Sequence, residues 1–265
     1  MATIEVDGAA IYYRETGVGR PLLVIHGSGA NADLSDRAIA SLAQQHRVIS
    51  YDRRGHSRSG TQPAALAGYL KRQADDAAAL LRALDATPAI VVGWSMGGVI
   101  ALCLALEHPE LVSRLVVGEP PLHAARHPPP ISSIWPLLKT RFLAAMGRER
   151  AAMATFFRML LVQPDGGNSY DALDDATRDG VLANAATLLH ELETGTGEEL
   201  TPERIQALRC PISAVVGGGT LAVFAQATER LQRLLPHMRV AQIPGAGHLS
   251  VLTHPAEFAR IALQE

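Results

Sequence analysis

Lysine is almost missing from this chain: there are two, Lys71 and Lys139, far apart. A nucleic-acid binder clusters its cations, and Lys plus Arg total 24 against 26 acids, a net charge of −2. That balance excludes a basic binding surface as the main business of the protein. Cysteine is equally scarce. Cys103 and Cys210 lie in unrelated segments, no CxxC occurs, and neither a disulfide framework nor a structural zinc site is supported. Aromatics make up 5% of residues. Long apolar runs are lacking too; the longest approach ten residues, too short to cross a bilayer. The N-terminus has neither the basic start nor the apolar stretch of a secretory signal. These absences lead us to expect a soluble, cytoplasmic protein with no membrane or nucleic-acid partner.

What is present is apolar residue in quantity: 48% of the 265 residues. Disorder is excluded by that fraction. The length suits one large α/β domain, or a core with an insertion. Asp7-Gly8 reads as a hairpin turn between strands near 3–7 and 10–15. The continuous apolar run at 21–25 reads as a strand buried on both faces, 89–92 as another buried strand, and 48–51, 115–117 and 212–216 as further strands. Helical spacing separates them, near 35–45, 66–86 (Leu66, Leu70, Leu80, Leu81 and Leu84 on or near one stripe), 96–107 and 221–235. A last strand is expected at 238–243 and a last helix from about 255. Such alternation predicts a parallel sheet with right-handed crossovers. Residues 121–200 break the pattern. They hold a Pro/His cluster, HAARHPPP, and helical segments near 133–146, 148–162 and 171–194. The expected organisation is therefore a core of 1–120 and 201–265 with a helical insertion at 121–200.

The chemistry concentrates in three glycine-rich turns. Gly93-Trp94-Ser95-Met96-Gly97 is G-x-S-x-G between an apolar strand and a helix. Small flanks let the serine occupy a sharp turn that lifts its hydroxyl above the sheet edge. The Met96 N–H, at the start of a helix, then faces a developing oxyanion. His26-Gly27-Ser28-Gly29, after an earlier strand, can present a second donor from Ser28, while His26 reads as the anchor of that loop. His248, in Pro244-Gly245-Ala246-Gly247-His248 after the last strand, is the candidate base that a serine hydroxyl needs. His108, His237 and His254 flank prolines at element ends. His46 and His190 look surface-like, His56 sits in a turn, and His123 and His127 could touch substrate from the insertion.

Together HGSGA (26–30), YDRRGHSRSG (51–60), GWSMGG (93–98) and IPGAGH (243–248) make the chain resemble the α/β-hydrolase superfamily over nearly its whole length. The resemblance implies an α/β fold: a mostly parallel eight-stranded sheet with helices on both faces, a nucleophile–acid–histidine triad, and a helical cap at 121–200. Ser57 stands where a glycine is commonly seen, in a loop whose Asp52 and Arg53 the resemblance makes structural. The acid departs from the pattern. Family members usually carry it in a G-x-x-D-like segment, here Gly217-Gly218-Gly219-Thr220, and no Asp or Glu occurs between 204 and 228. Glu119, in Gly118-Glu119-Pro120, follows the strand after the nucleophile helix, where some members, such as haloalkane dehalogenases with a Glu there, place the acid. A Ser–His dyad, another acid, or an inactive site are the alternatives.

Ser95 argues against a haloalkane dehalogenase or epoxide hydrolase, which need an Asp nucleophile. Trp94 could line an acyl pocket or pack beneath the turn. Trp135, in an apolar stretch of the insertion, is a second candidate for substrate contact. No metal-ligand cluster or nucleotide fingerprint is found, so neither metal nor cofactor is expected. The expectation is a cofactor-independent serine hydrolase that cleaves a small, fairly apolar ester, lactone or thioester through an acyl-enzyme. C–C bond hydrolysis or cofactor-free perhydrolysis with the same groups, and a non-enzymatic ligand sensor of this fold, are the other readings. Oligomeric state is not legible.

Overall fold

A computed structural model describes residues 2–60, 68–123, 129–194, 196, 197 and 199–264. Leu66 and His127, named above, lie outside the described residues. The strands are β1 (Ala2–Val6), β2 (Ala9–Thr16), β3 (Arg20–Ile25), β4 (His46–Tyr51), β5 (Ala89–Trp94), β6 (Val112–Gly118), β7 (Ile212–Gly217) and β8 (Arg239–Ile243). They form one sheet in the order β1-β2-β4-β3-β5-β6-β7-β8. The pairs β1/β2 and β2/β4 are antiparallel, and the rest are parallel.

The side chains of the central strands alternate between two cores, as a period of two requires. Leu23, Ile25, Val91, Leu115, Val117 and Ala214 join the core under α2 (Tyr69–Ala83) and α3 (Met96–Glu107). Leu22, Val24, Val92, Val116 and Val215 face the other way, toward α1 (Asp36–Leu42) and α11 (Pro255–Leu263). With both faces covered, the strands can be apolar throughout. Helix α3 is buried from Met96 to Ala105 without interruption, which explains why its composition is apolar all round rather than striped. α9 (Ala222–Leu234) and the short α10 (Ser250–Thr253) complete the sheet's surroundings.

Residues 121–200 contain α4 (Ile131–Ala145), α5 (Glu149–Leu160), α6 (Asp175–Leu182) and α7 (Ala185–Thr194). Among the described residues there, the only β pairing is an isolated Val162–Asn168 bridge. The single helix expected at 171–194 is in fact two. Asp174 caps α6 by accepting the Thr177 N–H at 2.9 Å, which delays the start. The break at Asn184 has a cause in packing. Its amide donates to the Gly29 and Ala30 carbonyls at 3.1 and 3.0 Å and accepts the Ser57 N–H at 2.7 Å. The short α8 (Pro202–Gln206) was not anticipated.

Candidate active site

Ser95 sits between β5 and α3 with φ 52° and ψ −120°, a conformation costly for any residue with a Cβ. The turn closes against the His26–Gly29 loop. A Cβ built on Gly97 would run into the Ile25 and His26 carbonyls, so only glycine permits α3 to start this close to β3. The strain fixes the hydroxyl. His248 Nε2 lies 3.2 Å from Ser95 Oγ.

On the other side of the ring, His248 Nδ1 lies 2.6 Å from Glu119 Oε2. Glu119 is fully buried at the end of β6, also at positive φ (46°). A buried carboxylate without partners would be costly; this one has both oxygens engaged, because Oε1 accepts the Gly217 N–H at 2.8 Å. That donor belongs to the segment where the usual acid would have followed. Thr220 occupies that place, its buried Oγ1 without a hydrogen-bond partner. The carboxylate has thus moved one strand along the sheet while staying on the same histidine.

The imidazole is held by its faces as well as its nitrogens. Phe224, on α9, stacks on it with centroids 3.7 Å apart and planes 11° from parallel. Nothing in the sequence reading singled Phe224 out; its position four residues past Thr220, at the first turn of α9, was the available signal. Trp94 lies 6.1 Å from the same ring and 5.3 Å from Phe258. Its indole covers Gly118, where a Cβ would collide with the six-membered ring. Trp94 therefore does both things considered for it: it packs beneath the turn and it lines the cavity.

That cavity, about 390 Å³, opens on Ser95 and His248 and is also lined by Ser28, Met96 and Trp94. Leu137 of α4 and Phe156, Met159 and Leu160 of α5 form the facing wall. Its described lining residues include no Asp, Glu, Lys or Arg. Trp135 is not among them. It is 74% exposed, because Ser133 and Leu137 are the α4 residues that the helical turn directs to the cavity. The expectation of substrate contact at Trp135 is corrected accordingly. His123 is no part of the lining either; its Nε2 meets the Leu200 carbonyl at 2.9 Å.

Beneath the Ser28 loop lies a buried polar network. His26 accepts the Arg53 N–H on Nε2 at 3.0 Å and donates from Nδ1 to the Gly27 carbonyl at 2.8 Å, the anchoring role expected of it. Arg53, fully buried, donates to the Gly27 carbonyl at 3.1 Å and to Glu191 on α7 at 2.7 Å. Tyr69 donates to the same carboxylate oxygen at 2.5 Å. Burial opposes the charge on Glu191, but the adjacent guanidinium together with hydrogen bonds from Arg53, Tyr69 and Ser28 more than offsets it and holds the carboxyl below its ordinary range. Burial, reinforced by Arg53, pushes His26 and His56 well below the ordinary imidazole range, so both are neutral. Thr187 and Glu191 lie four residues apart on α7, just after Asn184; Thr187 bonds the Gly55 carbonyl. Spaced three and four residues apart in sequence, these polar side chains tie residues 184–191 to the loops after β3 and β4.

The family model described as the alpha/beta hydrolase fold matches residues 20–255. The chain belongs to the α/β-hydrolase family. This hydrolase is 30% identical, over 92% of its length and 94% of the other's, to the pimeloyl-[acyl-carrier protein] methyl ester esterase of Aeromonas hydrophila. It is 39% identical to the uncharacterized hydrolase YraK of Bacillus subtilis over 125 residues, a match spanning 47% of this chain and 46% of that protein. Among solved structures, the esterase RhEst1 from Rhodococcus sp. ECU1013 superposes with a TM-score of 0.79 at 23% identity, covering 98% of this hydrolase and 96% of RhEst1. No helix among the described residues is long and apolar enough to cross a membrane.

Proposed function

We propose that the protein is a serine hydrolase that cleaves carboxylic esters of neutral, fairly apolar acids through an acyl-enzyme. The observation that carries this reading is the unbroken chain from Ser95 Oγ to His248 Nε2 at 3.2 Å and from His248 Nδ1 to Glu119 Oε2 at 2.6 Å. Ser95 Oγ attacks the acyl carbon as His248 Nε2 takes its proton. The Nδ1–H of the resulting imidazolium stays on Glu119, which fixes the tautomer and stabilises the charge. The carbonyl oxygen becomes an oxyanion beside the N–H groups of Ser28 and Met96. The Met96 N–H, first of α3, has no acceptor within its own helix, so it is free for this work. His248 returns the proton to the departing alcohol. A water then repeats the sequence on the acyl-Ser95 ester and regenerates the serine.

Residues 121–200 act in this scheme as a cap that walls the cavity with Leu, Met and Phe side chains. An uncharged lining rejects ionised acyl groups, whose desolvation nothing there would compensate. The name of the Aeromonas relative supports ester cleavage; lactones and thioesters present the same electrophile. The test is hydrolysis of p-nitrophenyl butyrate by wild type and Ser95→Ala. A loss on the order of a million-fold is expected, and full activity in the variant would overturn the assignment.

A further inference from the structure

Helix α4 turns two polar side chains inward beside Leu137 and Leu143. Ser133 and Thr140 are buried, and the Thr140 hydroxyl has no hydrogen-bond partner there. The opposite face exposes Ile131 (88%), Trp135, Leu138, Phe142 (65%) and Met146. At 3.6 residues per turn these side chains, with Ile134, share roughly one third of the helix circumference. Lys139 and Arg141 project at the two borders of that arc, both exposed, and α4 contains no acid. In water this arrangement leaves a large apolar patch uncovered. An aromatic and aliphatic face bordered by two cations is instead the pattern of a helix lying in the plane of a lipid surface. There the apolar side chains enter the headgroup–acyl boundary and the cations meet lipid phosphates.

We propose that the outer face of α4 docks this hydrolase on an anionic lipid surface. A second copy fits less well: a two-fold contact through this face would bring Lys139 and Arg141 toward their own copies with no acid on the helix to answer them. The position matters for access. Ser133 and Leu137, on the other side of the same helix, line the cavity, as do Pro129 and Pro130 just before it. A protein seated through α4 therefore holds its cavity wall against the phase in which apolar esters accumulate. The docking goes beyond the proposed reaction and replaces the expectation that no membrane is involved. It concerns attachment to one leaflet, not a crossing.

The test uses the full chain and vesicles of phosphatidylcholine with or without phosphatidylglycerol, read by co-sedimentation and tryptophan emission. The chain has two tryptophans. Trp94 is already buried, so a blue shift on binding reports Trp135. Binding and a blue shift are expected with phosphatidylglycerol present, weakening with salt. Trp135→Ser and Phe142→Ser should each weaken partitioning by roughly tenfold or more. Lys139→Gln and Arg141→Gln should each cost about fivefold on anionic vesicles and little on neutral ones. Unchanged hydrolysis of a water-soluble ester establishes that these variants fold. The proposal is overturned if the wild type does not sediment with anionic vesicles at low salt, or if Trp135→Ser/Phe142→Ser binds like wild type. It is overturned equally if the wild type forms a dimer that this double variant abolishes.

Discussion

Replacing Glu119 by glutamine exchanges one carboxylate oxygen for an NH₂ group and keeps the shape, yet the structure requires a large effect. Glu119 accepts two hydrogen bonds, from the Gly217 backbone N–H at 2.8 Å and from His248 Nδ1 at 2.6 Å. A backbone N–H cannot become an acceptor, so the glutamine oxygen must turn to Gly217 and its NH₂ to His248. The histidine then keeps its proton on Nε2, and the lone pair that should accept the Ser95 proton is gone. Loss of the correct tautomer in a serine triad lowers kcat by about 10⁴, which corresponds to about 5.4 kcal/mol in the barrier. KM should move little, because the side chain is fully buried and does not line the cavity. The assay is steady-state hydrolysis of p-nitrophenyl butyrate with thermal unfolding as a folding control. Glu119→Asp should also fail, since one methylene less leaves the carboxylate short of both donors. Thr220→Asp in the Glu119→Gln background should regain part of the rate, because it returns a carboxylate to the strand end where the family usually carries it. A Glu119→Gln variant within tenfold of wild type would falsify this reasoning.

Three further outcomes are expected. Glu191→Gln leaves Arg53 buried without its anion and should cost about 3 kcal/mol or more in urea unfolding; Arg53→Met/Glu191→Met should recover part of that, and strictly additive losses would contradict the pairing. Stability should fall as pH drops below about 6.5, because the unfolded chain binds protons on His26 and His56 that the folded protein refuses. The slope approaches about 1.4 kcal/mol per pH unit per histidine. His56→Gln should flatten that slope, and an unchanged slope would count against it. Phe224→Leu removes a stacking contact worth about 0.5–1.5 kcal/mol, so kcat should fall roughly two- to tenfold; no change in kcat or in its pH profile would mean that the ring is merely packing.

The central strands were legible because burial on both faces makes them short apolar runs, as in β3 and β5. The serine and the displaced acid were legible because each follows a strand directly, and the histidine because a short glycine-rich loop carries it just past β8. The side-chain environment was harder to read. Trp135 was expected to touch substrate on its chemistry, but the phase of α4 turns it outward and sends Ser133 and Leu137 in. The break at Asn184 escaped notice because it depends on carbonyls of Gly29 and Ala30, more than 150 residues away in sequence. Arg53 looked structural, and it is buried; what the sequence could not show is that its partner, Glu191, comes from α7, 138 residues away in sequence.

The central claim is that Ser95 carries the acyl group. It is tested most directly by mixing the protein with p-nitrophenyl butyrate, quenching in acid during the first turnovers and mapping the added mass by peptide mass spectrometry. The account predicts a butyryl increment on the peptide containing Ser95, absent from Ser95→Ala and accumulating in His248→Ala only slowly. Turnover with no increment on Ser95, or an increment on another residue that persists in Ser95→Ala, would contradict it.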